Sequence, residues 1–171
     1  MYQALLADVR FHQLLLNFDH DMADTARSQG CACGGVLHSA RYRRKPRGLP
    51  ARCRHRDTPP SLRFLGRRVY LATMVVLISA MRHGATAPRV ARLSQLIGVS
   101  RRTVAHWREW WRTTFAQSRF WQAARAAFMP PVDQDRLPAS LLERFAGGGA
   151  EQLLALLRFL APITGGAVHA S

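Results

Sequence analysis

The first part of the chain carries apolar residues at nearly helical spacing. They are Leu5, Val9, Phe11, Leu15, Leu16, Phe18 and Met22. A repeat of this kind is typical of one face of an amphipathic helix, so we expect a single helix over 2–26. The stretch 28–35 should end it, because its glycines supply the positive φ angles that tight turns need. Asp19, His20 and Asp21 are expected to lie on a solvated helix end rather than to bind a metal.

The second half of the chain predicts a succession of helices. The helical segments are 69–83, 86–97, 101–115, 119–128, 137–145 and 151–160, and the tail 162–171 is expected to fray. No alternation of apolar and polar residues is long enough to build a sheet, so the predicted fold class is mainly α. The apolar stretch 69–81 falls short of the roughly 20 residues of a membrane span and predicts a buried helix. The start of the sequence lacks the pattern of a secretory leader, which favours a cytoplasmic protein.

The segment 90–107 has the layout of a helix-turn-helix, with Gly98 in the turn and Ser100 as the cap of the second helix. A helical wheel places a buried stripe on one side of this second helix, formed by Val104, Trp107, Trp111 and Phe115. The opposite side and the N-terminal end can reach base edges and phosphates. The predicted DNA-contacting residues there are Ser100, Arg101, Arg102, Thr103 and His106.

An ordinary helical hairpin inside a helical bundle is the alternative to a DNA-binding helix-turn-helix. Under either interpretation the position of Trp110 must be explained, because this residue lies to the side of the buried stripe. It must pack on another helix, for which 119–128 is the candidate, or be exposed.

The charge of the chain points to a polyanionic partner. Lysine and arginine number 25 against 10 acidic residues, a net charge of +15. A surplus of this sign favours nucleic acid first and anionic membrane second. Most of it falls in 39–68, a proline-containing segment that is expected to form a basic, non-helical arm. The phosphate contacts of this arm are assigned to Arg43, Arg44, Lys45 and Arg47.

Three cysteines and a histidine within or beside this arm suggest a zinc site. The predicted ligands are Cys31, Cys33, Cys53 and His55, since zinc takes four cysteine or histidine ligands in a tetrahedron. His38 competes with His55 for the fourth position. The alternative is that the thiols bind no metal.

Three motifs together with the helix-turn-helix resemble a known kind of protein. The motifs are GCACGGVLH at 30–38, RRKPRG at 43–48 and CRHRDTPPSLRFLGRRVY at 53–70. They resemble small bacterial proteins with a zinc-ribbon-like segment, similar to accessory or N-terminal parts of insertion-sequence transposases. The resemblance covers about 2–160 and implies association with DNA rather than a reaction.

Catalysis is not expected from this sequence. A transposase of the retroviral-integrase type needs three carboxylates on a sheet to hold two divalent metals, and the few acids here do not supply that scaffold. The chain also shows no glycine-rich phosphate loop and no nucleophile elbow. We therefore expect a protein without a catalytic site.

These patterns predict four segments: an amphipathic helix at 1–28, the basic zinc-ribbon-like arm at 29–68, a helix-turn-helix domain at 69–129, and short helices with a tail at 130–171. The predicted function is binding of duplex DNA in connection with transposable elements. Three alternatives stay open. One is a subunit that docks on a transposase or on its own copy through the many leucines of 153–160; the others are an RNA-binding protein and a remnant reading frame without a stable fold.

Overall fold

The fold is mainly helical. The computed structural model describes residues 8–31, 59–65, 71–82 and 98–165 and the isolated positions 34, 36, 69, 88, 91 and 95. The α-helices in these ranges are α1 (Val9–Gln29), α2 (Leu71–Arg82), α3 (Arg101–Trp110), α4 (Arg119–Ala124), α5 (Ala139–Leu142) and α6 (Ala150–Leu160). A π-helical turn, Trp111–Phe115, continues α3, and 3₁₀ turns occur at Arg125–Ala127, Gln134–Arg136 and Ala161–Thr164.

Most of the predicted helix ends are confirmed. The helices expected at 69–83, 101–115, 119–128 and 151–160 all form, with ends that differ by at most two residues when the π-helical turn and the 3₁₀ turn Arg125–Ala127 are included. The last of them is continued by the 3₁₀ turn Ala161–Thr164. The helix expected at 137–145 is only one turn long, since α5 ends at Leu142. The helix expected at 86–97 lies mostly outside the described residues, although positions 88, 91 and 95 are helical.

Helix α1 begins at Val9 and ends at Gln29, not at 2 and 26 as expected, because its caps lie at Asp8 and Gly30. The Asp8 carboxylate accepts a hydrogen bond from the Arg10 N–H at 2.8 Å. Gly30 ends the helix with φ 71°, a value that glycine adopts without strain. One face is covered, with Phe11 and Leu15 buried, whereas Val9 is 78% exposed and does not belong to the apolar face on which the spacing placed it.

Helix α2 lies at the centre of the structure. It contacts α3, α5 and α6. Its buried side chains occupy more than half of the helix circumference: Leu71, Ala72, Met74, Val75, Val76 and Ile78. A helix that is apolar all round belongs in a core, so the prediction of a buried helix is confirmed. Among the helices of the described ranges, none is long and apolar enough to cross a membrane.

Helix α3 packs on α2 through the predicted stripe. Val104, Trp107, Trp111 and Phe115 are all buried, which confirms the prediction from the wheel. The π-helical turn that follows brings residues five apart onto one side, so the rings of Trp110 and Phe115 lie 5.7 Å apart. Trp110 is therefore half-buried against the aromatic side chains of its own helix.

Aromatic rings join α3 to the C-terminal helices. The Phe115 ring lies 5.2 Å from that of Trp121 in α4, and the Phe120 ring lies 5.1 Å from that of Phe159 in α6. Four leucines of α6 are buried in the same cluster, and the fifth, Leu154, is half-buried against it. The apolar residues that favoured an external docking surface are thus accounted for by internal packing.

Asp19 of α1 holds a distant segment of the chain. Its carboxylate accepts hydrogen bonds from the Leu62 N–H at 2.6 Å, the Ser61 hydroxyl at 2.8 Å and the Arg63 guanidinium at 2.7 Å. The Asp19 side chain is only 10% exposed, so the expectation of a solvated helix end is wrong for this residue. Arg63, counted with the basic arm, is paired with Asp19 instead.

The chain after α6 is packed rather than frayed as far as it is described. Ile163 is buried, and the Thr164 hydroxyl accepts a hydrogen bond from the Ser61 N–H at 2.6 Å. Residues 162–165 therefore correct the expectation of a frayed tail, and 166–171 lie outside the described residues. The same hydrophobic cluster includes Phe11, Leu62 and residues of α2 to α6, so the predicted segments share one core within the described ranges.

Candidate nucleic-acid interface

The start of α3 is built by a glycine turn and a serine cap. Gly98 has φ +67°, and its N–H donates to the Gln95 carbonyl at 3.3 Å. A residue with a side chain would be strained in that conformation, although a Cβ there would meet nothing within 4 Å. Two residues later the Ser100 hydroxyl accepts a hydrogen bond from the Thr103 N–H at 3.2 Å and so satisfies one donor of the first turn.

The structure divides the five predicted contact residues of α3 into two groups. Ser100 and Thr103 are bonded to each other through their hydroxyls at 2.9 Å, and Thr103 is half-buried. Their role is to form the cap. Arg101, Arg102 and His106 are exposed and are the side chains that can reach a ligand.

Exposed side chains on α3 and its continuation form two adjacent rows. We call Arg101, Ala105, Arg108 and Arg112 the arginine row; they are spaced at i, i+4, i+7 and i+11, and all four are exposed. We call Arg102, His106 and Glu109 the central row; they follow i, i+4 and i+7 and are exposed as well. Both rows lie away from the buried stripe of Val104 and Trp107.

Arg108 and Arg112 are candidate contact residues that the sequence analysis missed. Their helical spacing from Arg101 is the feature of the sequence that could have identified them. The prediction from the wheel concerned the side directly opposite Val104, whereas the arginine row flanks that side. When the stripe of buried residues covers less than half of the helix circumference, a flank of this kind stays exposed.

Positive charge is concentrated on this part of the described structure. Residues 98–128 contain six arginines and one carboxylate, Glu109, a net charge of +5. Segment 8–31 has two arginines against four aspartates, and 129–165 has three arginines against four acids. None of the six arginines in 98–128 forms an ion pair with a residue that the structure describes. Their charges are therefore available to an external anion.

The surface at the turn is open. A depression of about 440 Å³ is lined by Ala91, Gln95, Gly98, Val99, Ser100 and Arg101. Sites for small molecules bury most of their ligand in a cleft, and this depression opens broadly to solvent. An open, positively charged surface is better suited to an extended polyanion.

The other predicted site residues fall mainly outside the described residues. Of the zinc ligands, Cys31 is described; it is half-buried, and its carbonyl accepts a hydrogen bond from the Gly34 N–H at 2.8 Å. Cys33, Cys53 and His55 lie outside the described residues, as do the arm cations Arg43, Arg44, Lys45 and Arg47. Within the described residues, no group of three or more His, Cys, Asp or Glu side chains could hold a metal.

Comparison with known proteins adds no family to this description. No protein-family model, curated protein or solved structure matches the chain. The sequence and the geometry of α3 are therefore the basis for the function proposed below.

Proposed function

We propose that the protein binds duplex DNA, with α3 as the recognition helix of a helix-turn-helix and the basic arm as a phosphate-binding segment. One observation carries the proposal: Arg102 and His106 are exposed on a capped helix whose opposite side is anchored in the core by Val104, Trp107 and Trp111. A side chain that reads a base must be held on a rigid element and must face outward. Both conditions are met at these two positions.

The dimensions and chemistry of α3 suit a major groove. That groove is about 12 Å wide and admits one α-helix. An arginine can donate two parallel hydrogen bonds to guanine, the commonest specific contact between a side chain and a base. Arg102 is in the first turn of α3, where recognition helices contact base edges. Arg101 and the helix N-terminus can contact phosphate from the same turn.

The arm is proposed to add contacts that do not depend on sequence. Arg43, Arg44, Lys45 and Arg47 are assigned to phosphates because a cluster of cations with few acids favours the DNA backbone. The C-terminal part of the arm is tied to α1 through the ion pair of Arg63 with Asp19. This ion pair links the end of the arm to the core that also supports α3. An accessory role in transposition, without a catalytic site of its own, belongs to the same proposal.

Two variants test this division of labour. Arg102→Ala is expected to reduce the preference for a selected duplex over random duplexes by about tenfold or more, because one base-specific contact is lost. The double variant Arg43→Ala/Arg44→Ala is expected to weaken binding to every duplex alike. The measurement is the dissociation constant for selected and random duplexes at one fixed salt concentration, with structured RNA as a competitor. The proposal fails if both variants affect all DNA equally, or if RNA is bound in preference to duplex.

Zinc is proposed as the metal that organises the start of the arm. Cys31, Cys33, Cys53 and His55 would hold it, and three thiolates with one imidazole are ligands that zinc accepts. Of these four residues the structure describes Cys31, whose carbonyl accepts a hydrogen bond from the Gly34 N–H. Elemental analysis of the purified chain is expected to give about one zinc per molecule, and Cys31→Ser should lower that value. A chain purified without metal that binds DNA normally would exclude a structural zinc.

A further inference from the structure

We propose that the arginine row of α3 binds successive phosphates of one DNA strand, while the central row faces the base edges, and that Glu109 weakens this backbone contact. This inference rests on the proposed function and assigns new residues to it. Arg108 and Arg112 become phosphate-contacting residues, and Glu109 becomes a residue that lowers affinity for every sequence.

The geometry of the row favours a backbone contact. Arg101, Arg108 and Arg112 are exposed on one flank of the helix, and the small side chain of Ala105 lies between them. At a rise of about 1.5 Å per residue, the row extends for about 16 Å along the helix axis. That length exceeds the first turn of α3 by far, so Arg108 and Arg112 can engage phosphates beyond the bases that Arg102 would contact.

The electrostatics of the row favour an external anion over an internal partner. Glu109 is three residues before Arg112, a spacing at which ion pairs form readily on helices, yet no ion pair joins it to a described residue. The row therefore keeps its full charge. DNA carries one negative charge for about each 1.7 Å of helix axis, which makes its backbone the polyanion with the charge density to match a row of arginines. Glu109 belongs to the central row, next to the arginine row, and would repel the same phosphates.

The experiment compares the salt dependence of duplex binding among full-length variants. For Arg108→Ala/Arg112→Ala, the slope of log K against log salt should fall in magnitude by about 1.8, because each phosphate contact contributes about 0.9. If the plots of log K against log salt for the wild type and the variant meet near 1 M salt, the affinity of the variant at 0.1 M salt is lower by about 60-fold. The preference for a selected duplex over random duplexes should not change. The matched control is Arg10→Ala/Arg27→Ala, which removes two exposed arginines of α1, outside the candidate interface, and should leave the slope as in the wild type.

Glu109→Gln tests the proposal in the opposite direction. Removing this carboxylate is expected to tighten binding to all duplexes by about threefold, since a repulsive charge beside the backbone is lost. Thermal unfolding of every variant should match the wild type, which separates lost contacts from lost structure. If the wild type binds duplex DNA but the Arg108/Arg112 variant has an unchanged slope, the inference is overturned and the proposed function stands. If the wild type binds no duplex DNA, both are overturned.

Discussion

Replacing Trp111 with alanine is expected to lower the free energy of unfolding by about 4 kcal/mol. The side chain is 0% exposed, and its ring lies 4.6 Å from that of Phe115 and 5.1 Å from that of Trp110. Truncation would remove a large apolar surface from the core and leave a cavity that the rigid neighbours cannot fill. Because Trp111 belongs to the stripe that fixes α3 on the core, the same variant should also lose sequence-selective DNA binding. Denaturant unfolding measures the first effect, and duplex titration measures the second.

Two neighbouring substitutions serve as controls for this result. Trp110→Ala changes the same residue type on the same turn, but the side chain is half-buried, so a loss of about 2 kcal/mol is expected. Trp111→Phe keeps an aromatic ring and removes the indole N–H, which has no hydrogen-bond partner among the described residues. This change should lower the free energy of unfolding by about 1 to 2 kcal/mol, because the phenyl ring fills less of the core than the indole ring. Equal losses for Trp110→Ala and Trp111→Ala would contradict the assignment of the buried stripe.

Replacing Asp19 with alanine is expected to cost about 3 kcal/mol of stability. Three hydrogen bonds to the carboxylate would be lost, from the Ser61 hydroxyl, the Leu62 N–H and the Arg63 guanidinium. The Arg63 side chain is only 29% exposed, so it would keep a positive charge in a partly buried place without its counterion. Such an orphaned group accounts for most of the expected loss.

Asp21 provides the matched control for Asp19. It is on the same helix two residues later, and it is exposed. Asp21→Ala should therefore change the free energy of unfolding by less than about 0.5 kcal/mol, as surface substitutions usually do. Denaturant midpoints for the two variants give the comparison. If they coincide, the Asp19 contacts contribute no net stability and the anchoring of 59–65 to α1 has another origin.

The helices and the buried side of α3 could be predicted because their signals are local. The spacing of Val104, Trp107, Trp111 and Phe115 lies within one helical segment, and burial of one face follows from it directly. The opposite exposure of Arg102 and His106 follows from the same periodicity. Helix ends were predicted where a cap residue marks them, as Ser100 does for α3.

The contacts that could not be predicted join residues far apart in the sequence. Asp19 meets Ser61 and Arg63 across separations of 42 and 44 residues, and Thr164 meets Ser61 across 103. A periodic pattern of apolar residues gives no information on such a pairing. Asp19 was therefore expected to face solvent, and the chain end was expected to fray. In both cases tertiary packing determined the outcome.

Within the candidate site, the sequence indicated the polar residues but not their separate roles. Thr103 has the residue type of a base contact, yet its hydroxyl is bonded to Ser100 in the cap. Arg108 and Arg112 are at helical spacing from Arg101. Their exposure depends on how wide a stripe of the helix α2 covers, which only the structure shows. A helical wheel gives the angle of each residue but not how far the neighbouring helices wrap around it.

The most direct test of the central claim is an amide chemical-shift map of the isotopically labelled full chain titrated with duplex DNA. Among the residues that the structure describes, the account predicts that the largest shifts fall on 100–112, which carry the cap, the arginine row and the central row. The acidic helix α1 and the buried helix α6 should change little. Shifts confined to α1 or to α6, with 100–112 unchanged at saturating duplex, would contradict it.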